Sequence, residues 1–309
     1  MNRPSINKQQ GLSLIELMIA IVISSLLMAG TIQIFVNNKQ TYRVQEAMSR
    51  LQENGRFAMQ FLTRDIRMAD FWGCVGNITS VIDHLNVNAN LPNPASGGVA
   101  GTDNTGLNGS DTIILQGAYG SGLTIISHNA AAASFNLNTV DHGLEDFDIV
   151  MSTDCEKADI FEITNANSGS TTTAVGNTGA TAEGPGNATT PGLTYTEGDI
   201  FKVYKYSYSI QAGASGEPAL FRNINGTNQE LVEGIQNMQI KYGEDTDGDG
   251  TANIYSDSGS VTDMEDVVSV RLTLTARTLE DNIALDTTVD SGRISRDFSS
   301  TITIRNRVN

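Results

Sequence analysis

The chain has 309 residues, with 19 Lys and Arg against 35 Asp and Glu, and a formal net charge of −16 at pH 7. This acidity argues against nucleic acid as a direct partner, because phosphate binding needs clustered cations. The sequence also lacks the Gly-x-Ser-x-Gly, phosphate-loop and His-Glu-x-x-His motifs, and its three histidines are scattered, so we do not expect an enzyme.

The first predicted elements are a basic leader, residues 1–11, and an apolar helix, residues 12–36, in which Glu16 is the only ionisable side chain. The apolar run exceeds the roughly 20 residues that span a bilayer. A carboxylate in hydrocarbon costs on the order of 2.5–3.5 kcal/mol, so Glu16 should have a partner. After a cut between Gly11 and Leu12, Glu16 would lie about one helical turn from the new ammonium. It could then neutralise the N-terminus of a neighbouring copy.

These residues resemble the class III signal of type IV prepilins, in which a basic leader ends in Gly and an apolar helix with Glu at its fifth position follows. The resemblance implies that prepilin peptidase cuts between Gly11 and Leu12 and that the amine of Leu12 is N-methylated. The sequence departs from the usual prepilin pattern at Leu12, where Phe is common. It also has no proline in the apolar run, where many major pilins carry one. The alternative is a secretory signal peptide or a plain membrane anchor, against which the position of Glu16 and the weak cleavage site after the run both argue.

Residues 37–71 are predicted to continue the helix in amphipathic form. Its apolar residues recur at helical spacing with one gap at Gly55. They are Val44, Met48, Leu51, Ala58, Phe61, Leu62, Ile66 and Ala69. This stripe could form a free-standing coiled-coil stalk or pack on a sheet, and the lack of sustained heptads favours the sheet.

Cys74 and Cys155 are the two cysteines of the chain. In an exported protein they predict one disulfide, whose long loop would restrict the unfolded state by about 4–5 kcal/mol on the entropy model. Two buried thiols are the alternative. Metal binding by these cysteines is not expected, because neither has a second Cys or a His at ligand spacing.

Residues 72–309 are predicted to form a β-rich head. Strand patterns occupy residues 112–116, 123–127, 147–151, 159–164, 202–210, 231–242 after an opening turn, 267–277 and 298–308. Small polar residues make 86–110 and 165–198 long loops. Since polar turns and not helices join the strands, the fold class is α+β: a type IV pilin-like fold with a long N-terminal helix packed on a mostly antiparallel sheet. The tyrosines at 204, 206 and 208 share one face, and sheet packing is favoured over a ligand-stacking platform.

An acidic loop follows the pattern 231–242. Its candidate calcium ligands are Asp245, Asp247, Asp249, Thr251 through its carbonyl, and Asn253. Carboxylates alternating around Gly248 and Gly250 are typical of the first half of a calcium loop, although Ser256 stands where an EF-hand has its bidentate Glu. A hydrated acidic hairpin is the equal alternative. A bound ion would rigidify the head.

The C-terminal half resembles the PilW family of minor pilins in type IV pilus assembly. The resemblance is carried by the order of the segments 219–222, 231–240, Tyr242-Gly243 with its acidic loop and the strand 267–277, by Phe-Trp-Gly-Cys at 71–74, and by the pairing of Cys74 with Cys155. It implies a minor pilin that primes the pilus, with a position at the tip left open. Implied partners are other minor pilins, the major pilin, prepilin peptidase and inner-membrane lipid, with the head in the periplasm of a Gram-negative bacterium and later in the pilus. A pseudopilin of type II secretion and a tip adhesin that binds a surface or glycan remain alternatives.

Overall fold

The computed structural model describes residues 13–75, 81–86, 90–94, 97–129, 134–166, 169–170, 172–174, 184–189, 197–284 and 286–308. Within these residues the chain forms one long helix followed by strands, as the α+β prediction requires. The helix is α1, Leu14–Met68. It is continuous, as predicted, but it ends three residues before the predicted limit at 71. Asp70 takes a left-handed backbone with φ 62°, and its N–H donates to the carbonyl of Gln116 instead of continuing the helix.

The chain divides into two compact units, and the division falls within α1. One unit contains Met1–Arg50 and Glu280–Ile294, and the other contains Leu51–Leu279 and Ser295–Asn309. In the first unit, Arg50 forms an ion pair of 3.2 Å with Glu280 on the returning segment. The functional boundaries at residues 11, 36 and 71 remain predictions.

The described strands form two sheets. In chain order they are β1 Val81–Asp83, β2 Val99–Thr102, β3 Thr112–Asn129, β4 Ser134–Leu137, β5 Ile149–Thr153, β6 Ala158–Glu162, β7 Thr172–Ala174, β8 Gly198–Ala212, β9 Pro218–Ile224, β10 Thr227–Glu233, β11 Ile235–Glu244, β12 Ile254–Ser256, β13 Val267–Arg277 and β14 Ser295–Thr303. The larger sheet has the order β1-β6-β5-β8-β3-β4-β7. In addition, β2 pairs with β3, β9 pairs with β8, and β10 pairs with β9. The smaller sheet has the order β12-β11-β13-β14. All pairs are antiparallel except β1 with β6, so the mostly antiparallel prediction is confirmed.

Several predicted strand and loop limits were wrong. The patterns at 112–116 and 123–127 belong to one strand, β3, which keeps its pairing to β8 through a register shift between Gly120 and Leu123. The predicted loops 86–110 and 165–198 contain the short strands β2 and β7, which have four and three residues and are too short to show a clear alternation of apolar and polar side chains. The last pattern, 298–308, holds only the end of β14, because the chain then turns through Arg305–Arg307 and directs Arg307 toward the end of α1.

The main core lies in the second unit, where α1 packs with strands of both sheets. The helix contributes Leu51, Ala58, Leu62 and Ile66, and Ala69 follows directly after its end; all five are at most 1% exposed. This confirms the prediction that the amphipathic stripe packs on sheet structure. Phe61, which the predicted stripe included, instead has 36% of its surface exposed.

Candidate functional site

The N-terminal half of α1 presents an apolar surface that no described residue covers. None of its most apolar stretch is buried among the described residues, and the helix is long and apolar enough to cross a membrane. Examples are Leu14, Leu26 and Phe35, which are 77%, 68% and 69% exposed. Such a surface needs hydrocarbon or other helices around it.

The first turn of α1 contains Glu16, while the predicted cleavage site at Gly11 and Leu12 lies outside the described residues. The Ser13 N–H donates to Oε2 of Glu16 at 2.9 Å, and the Glu16 N–H faces Oγ of Ser13 at 3.4 Å. This reciprocal pair is a capping box, which places a carboxylate at the positive end of the helix dipole. The single chain therefore holds the Glu16 carboxylate at the helix start through its own backbone.

The structure confirms the predicted disulfide, which lies a few residues after the C-terminal end of α1. Cys74 and Cys155 are joined with their Cα atoms 4.9 Å apart, across a sequence separation of 81 residues. Cys155 sits in the turn between β5 and β6, where its N–H donates to Oγ1 of Thr153 at 3.0 Å. The bond ties the chain just after the helix to the larger sheet.

The acidic loop between β11 and β12 brings three of its predicted ligands together. Carboxylate oxygens of Asp245, Asp247 and Asp249 all lie within 4.8 Å of one another. Asp245 is the organising residue: Oδ1 accepts from the N–H of Gly248 at 2.8 Å, and Oδ2 accepts from the N–H of Gly250 at 2.7 Å. Desolvation opposes its ionisation, but these backbone donors outweigh that effect and lower the pKa of Asp245.

The two remaining predicted ligands, Thr251 and Asn253, form hydrogen bonds within the loop. Oδ1 of Asn253 accepts from the N–H of Thr246 at 2.7 Å, and the N–H of Thr251 donates to Oδ1 of Asp249 at 2.7 Å. The set of donor atoms is entirely oxygen, which suits a hard cation such as Ca²⁺. The residues present therefore fit a calcium ion in their chemistry.

The tyrosine row of β8 is part of the packing, as favoured from the sequence. Tyr208 is fully buried, and its hydroxyl donates to Oδ2 of Asp65 at 2.5 Å. Tyr204 donates to the carbonyl of Met68 at 3.2 Å and stacks on Tyr206 with ring centroids 4.5 Å apart. These contacts hold the second half of α1 against the larger sheet.

A group of buried polar side chains near the β1–β6 edge was not predicted from the sequence. Nε2 of His84 lies 2.7 Å from Oδ1 of Asp159, and Nδ1 lies 2.7 Å from Oγ1 of Thr189. Glu162 nearby is fully buried, one of its oxygens accepts from the N–H of Gly186 at 2.8 Å, and burial raises its pKa. The partners lie up to 105 positions apart in sequence, so no local pattern could have indicated them.

Two family models match the chain. Residues 207–306, from within β8 through the smaller sheet, match the family described as Type IV Pilus-assembly protein W. Residues 6–32 match the prokaryotic N-terminal methylation motif. No curated protein and no solved structure matches.

Proposed function

We propose that this chain, a type IV pilus-related pilin by its two family matches, is a minor pilin that takes part in priming pilus assembly. One observation carries the proposal: the match to the methylation motif extends into the apolar half of α1, whose surface no described residue covers. That surface is suited first to lipid and then to the helices of other pilins. The matched families are structural components of the pilus, which agrees with the expectation of no catalysis.

In this proposal, prepilin peptidase cuts between Gly11 and Leu12 and methylates the new amine. Glu16 then exchanges its own capping contact with Ser13 for the ammonium of a neighbouring subunit. A helix-capping bond is worth about 1 kcal/mol, whereas an unpaired carboxylate in an apolar bundle costs roughly 2.5–3.5 kcal/mol. The exchange is therefore favourable only when neighbouring helices are aligned so that an N-terminal ammonium lies beside Glu16. Glu16 thus selects this helix-to-helix register.

The head is proposed to lie in the periplasm and to contact other minor pilins and the major pilin. The disulfide supports this location, because such bonds persist in oxidising compartments. We also propose that Asp245, Asp247 and Asp249 hold a Ca²⁺ ion, with Thr251 and Asn253 contributing oxygens, and that the ion rigidifies the loop between β11 and β12.

The proposal is tested by the mass and N-terminus of the full chain recovered from membranes of cells with and without prepilin peptidase. We expect a chain that begins at methylated Leu12 only when the peptidase is present. An intact leader in both strains, or a cut beyond Gly30, would contradict the proposal. Loss of the gene should also reduce the number of pili, and a normal number of pili would contradict the priming role.

The role of Glu16 is tested by Glu16→Ala, with Ser13→Ala as the control that removes the capping hydroxyl and keeps the carboxylate. Glu16→Ala should be inserted and cleaved but absent from sheared filaments, whereas Ser13→Ala should enter them. Normal incorporation of Glu16→Ala would exclude the register mechanism.

A further inference from the structure

The head-proximal part of α1 carries a second stripe, separate from the one that packs in the core. Phe57, Phe61, Arg64 and Met68 are spaced by four, three and four residues, so they share one face of the helix. Phe57, Phe61 and Met68 are 41%, 36% and 46% exposed, and Arg64 is exposed as well. We call these four residues the outer stripe. Single exposed apolar residues are ordinary, but three aligned on one helix face form a patch.

Arg64 lies within this patch and forms no hydrogen bond or ion pair with any residue that the structure describes. Its neighbour Asp65 is already engaged, since it accepts from Tyr208 at 2.5 Å and lies 3.5 Å from Arg222. An unpaired guanidinium flanked on its helix face by Phe61 and Met68 fits a carboxylate presented by another molecule, because the planar donor fork binds carboxylates bidentately.

The larger sheet continues the patch beside the helix. Tyr206 is half-buried, and burial raises its pKa while the nearby cations of Arg222 and Arg64 partly oppose that rise. The guanidinium of Arg222 lies 5.1 Å from the ring centroid of Tyr206. Aromatic residues, Met and Arg are the types enriched at protein interfaces, whereas Lys, Glu and Asp are depleted there. The outer stripe with Tyr206 therefore has the composition of a docking surface.

Lipid cannot be the occupant of this surface. Residues 14–36 already exceed the length that spans a bilayer. The helix then carries six charged residues before the outer stripe: Lys39, Arg43, Glu46, Arg50, Glu53 and Arg56. These charges exclude residues 39–56 from hydrocarbon, so the outer stripe, which follows them, is covered by protein or by water.

We propose that the outer stripe and Tyr206 form the docking surface for the head of a different, neighbouring pilin, which presents a carboxylate to Arg64 inside an apolar contact. The proposal rests on the proposed function, in which this chain assembles beside other pilins. Charge complementarity identifies the partner's chemistry, since a carboxylate would neutralise the Arg64 guanidinium, which forms no ion pair with a described residue.

The test places a photo-crosslinking phenylalanine analogue at position 61 of the full chain in cells that assemble pili. The control places it at Ile126, which is 57% exposed on β3. We expect a covalent adduct with another pilin, identified by mass spectrometry, from position 61 and none from position 126. The absence of an adduct at 61, an adduct with lipid, or an adduct with a second copy of this chain would each overturn the proposal.

Charge reversal tests the role of Arg64. Arg64→Glu should lower the adduct yield by about tenfold, because it opposes the partner's carboxylate. Arg67→Glu, on the same helix but outside the stripe, should leave the yield unchanged. Arg64→Lys, which keeps the charge but loses the bidentate fork, should give an intermediate yield. Equal losses in Arg64→Glu and Arg67→Glu would overturn the assigned pairing. Cleavage at Leu12 and entry into pili are measured in parallel: if both occur in the parent chain but no adduct forms, the docking inference fails while the proposed function stands.

Discussion

The ring of Phe298 on β14 lies directly against the helix backbone at Gly55. A Cβ atom added at Gly55 would come within 2.2 Å of Cε2 of Phe298. The one gap in the apolar stripe of α1 is therefore a contact site, where the missing side chain lets the smaller sheet approach the helix.

Gly55→Ala is expected to destabilise the head. Ala gains about 1 kcal/mol in helix propensity, but displacing the Phe298 ring costs roughly 1–3 kcal/mol, so the net loss should be up to about 2 kcal/mol. Denaturant unfolding of the full chain in detergent measures it. Gly259→Ala, where a Cβ would meet open space, is the control and should change stability by less than about 0.5 kcal/mol. A stabilised Gly55→Ala variant would contradict this reading of the contact.

Arg307 anchors the C-terminal turn to the end of α1. Its Nε lies 2.5 Å from Oδ2 of Asp70, and its Nη1 donates to the carbonyl of Val267 at 2.9 Å. The Arg307 side chain is only 6% exposed. Arg307→Ala should therefore cost about 3–5 kcal/mol, because it removes the cation beside the largely buried carboxylate of Asp70, which among the described residues then keeps only the hydrogen bond from the Trp72 indole N–H.

The double variant Asp70→Asn with Arg307→Met serves as the comparison in the same unfolding assay. Asn tolerates the left-handed backbone of position 70, and Met fills much of the space of Arg. The double variant should lose less stability than Arg307→Ala alone. An Arg307→Ala loss below about 1 kcal/mol would show that the pair contributes little.

The Cys74–Cys155 bond should stabilise the head mainly by restricting the unfolded chain. Replacing both cysteines by Ser is expected to lower the free energy of unfolding by about 2–5 kcal/mol. Reduction of the parent chain should reproduce this loss, while the double variant should not respond to reductant. Equal stability of the oxidised and reduced parent would contradict the prediction.

Buried Glu162 should make stability depend on pH in a defined direction. Burial raises its pKa above the ordinary value near 4.3, so the folded state keeps the proton that the unfolded state releases. The stabilisation that protonated Glu162 contributes is fully present below its pKa in the unfolded state. It is lost as the pH rises through its higher pKa in the folded state. Glu162→Gln cannot lose this proton, so its stability relative to the parent should increase from about pH 4 toward neutrality. A difference that is constant over this range would exclude Glu162 as the source.

Calcium should raise the melting temperature of the full chain. With a dissociation constant of about 10⁻⁴–10⁻³ M, as in extracellular modules, 10 mM Ca²⁺ would add about 1.4–2.7 kcal/mol. Asp247→Ala with Asp249→Ala should abolish this increment, because it removes two ligand oxygens, whereas Asp257→Ala, which removes the ion-pair partner of Lys241 outside the loop, should retain it. No difference between calcium and chelator in the parent would show that the loop is a hydrated hairpin.

The sequence by itself determined the features that repeat locally. Helical spacing predicted α1 and most of the side chains that it buries, and alternation predicted strand β13 with the same limits as the structure. The spacing of Asp245, Asp247 and Asp249 predicted their convergence. The disulfide was also predictable, because the chain has two cysteines. These signals arise because side-chain direction repeats every 3.6 residues in a helix and every two in a strand.

Only the tertiary structure decided which distant groups meet. It separated the strands into two sheets, set Phe298 against Gly55, and joined Arg307 to Asp70 across 237 residues of sequence. It also buried His84 with Asp159 and left Phe61 exposed. Local periodicity fixes the type of each element and the face that it buries, but partners far apart in sequence depend on the path of the whole chain, which no local pattern encodes.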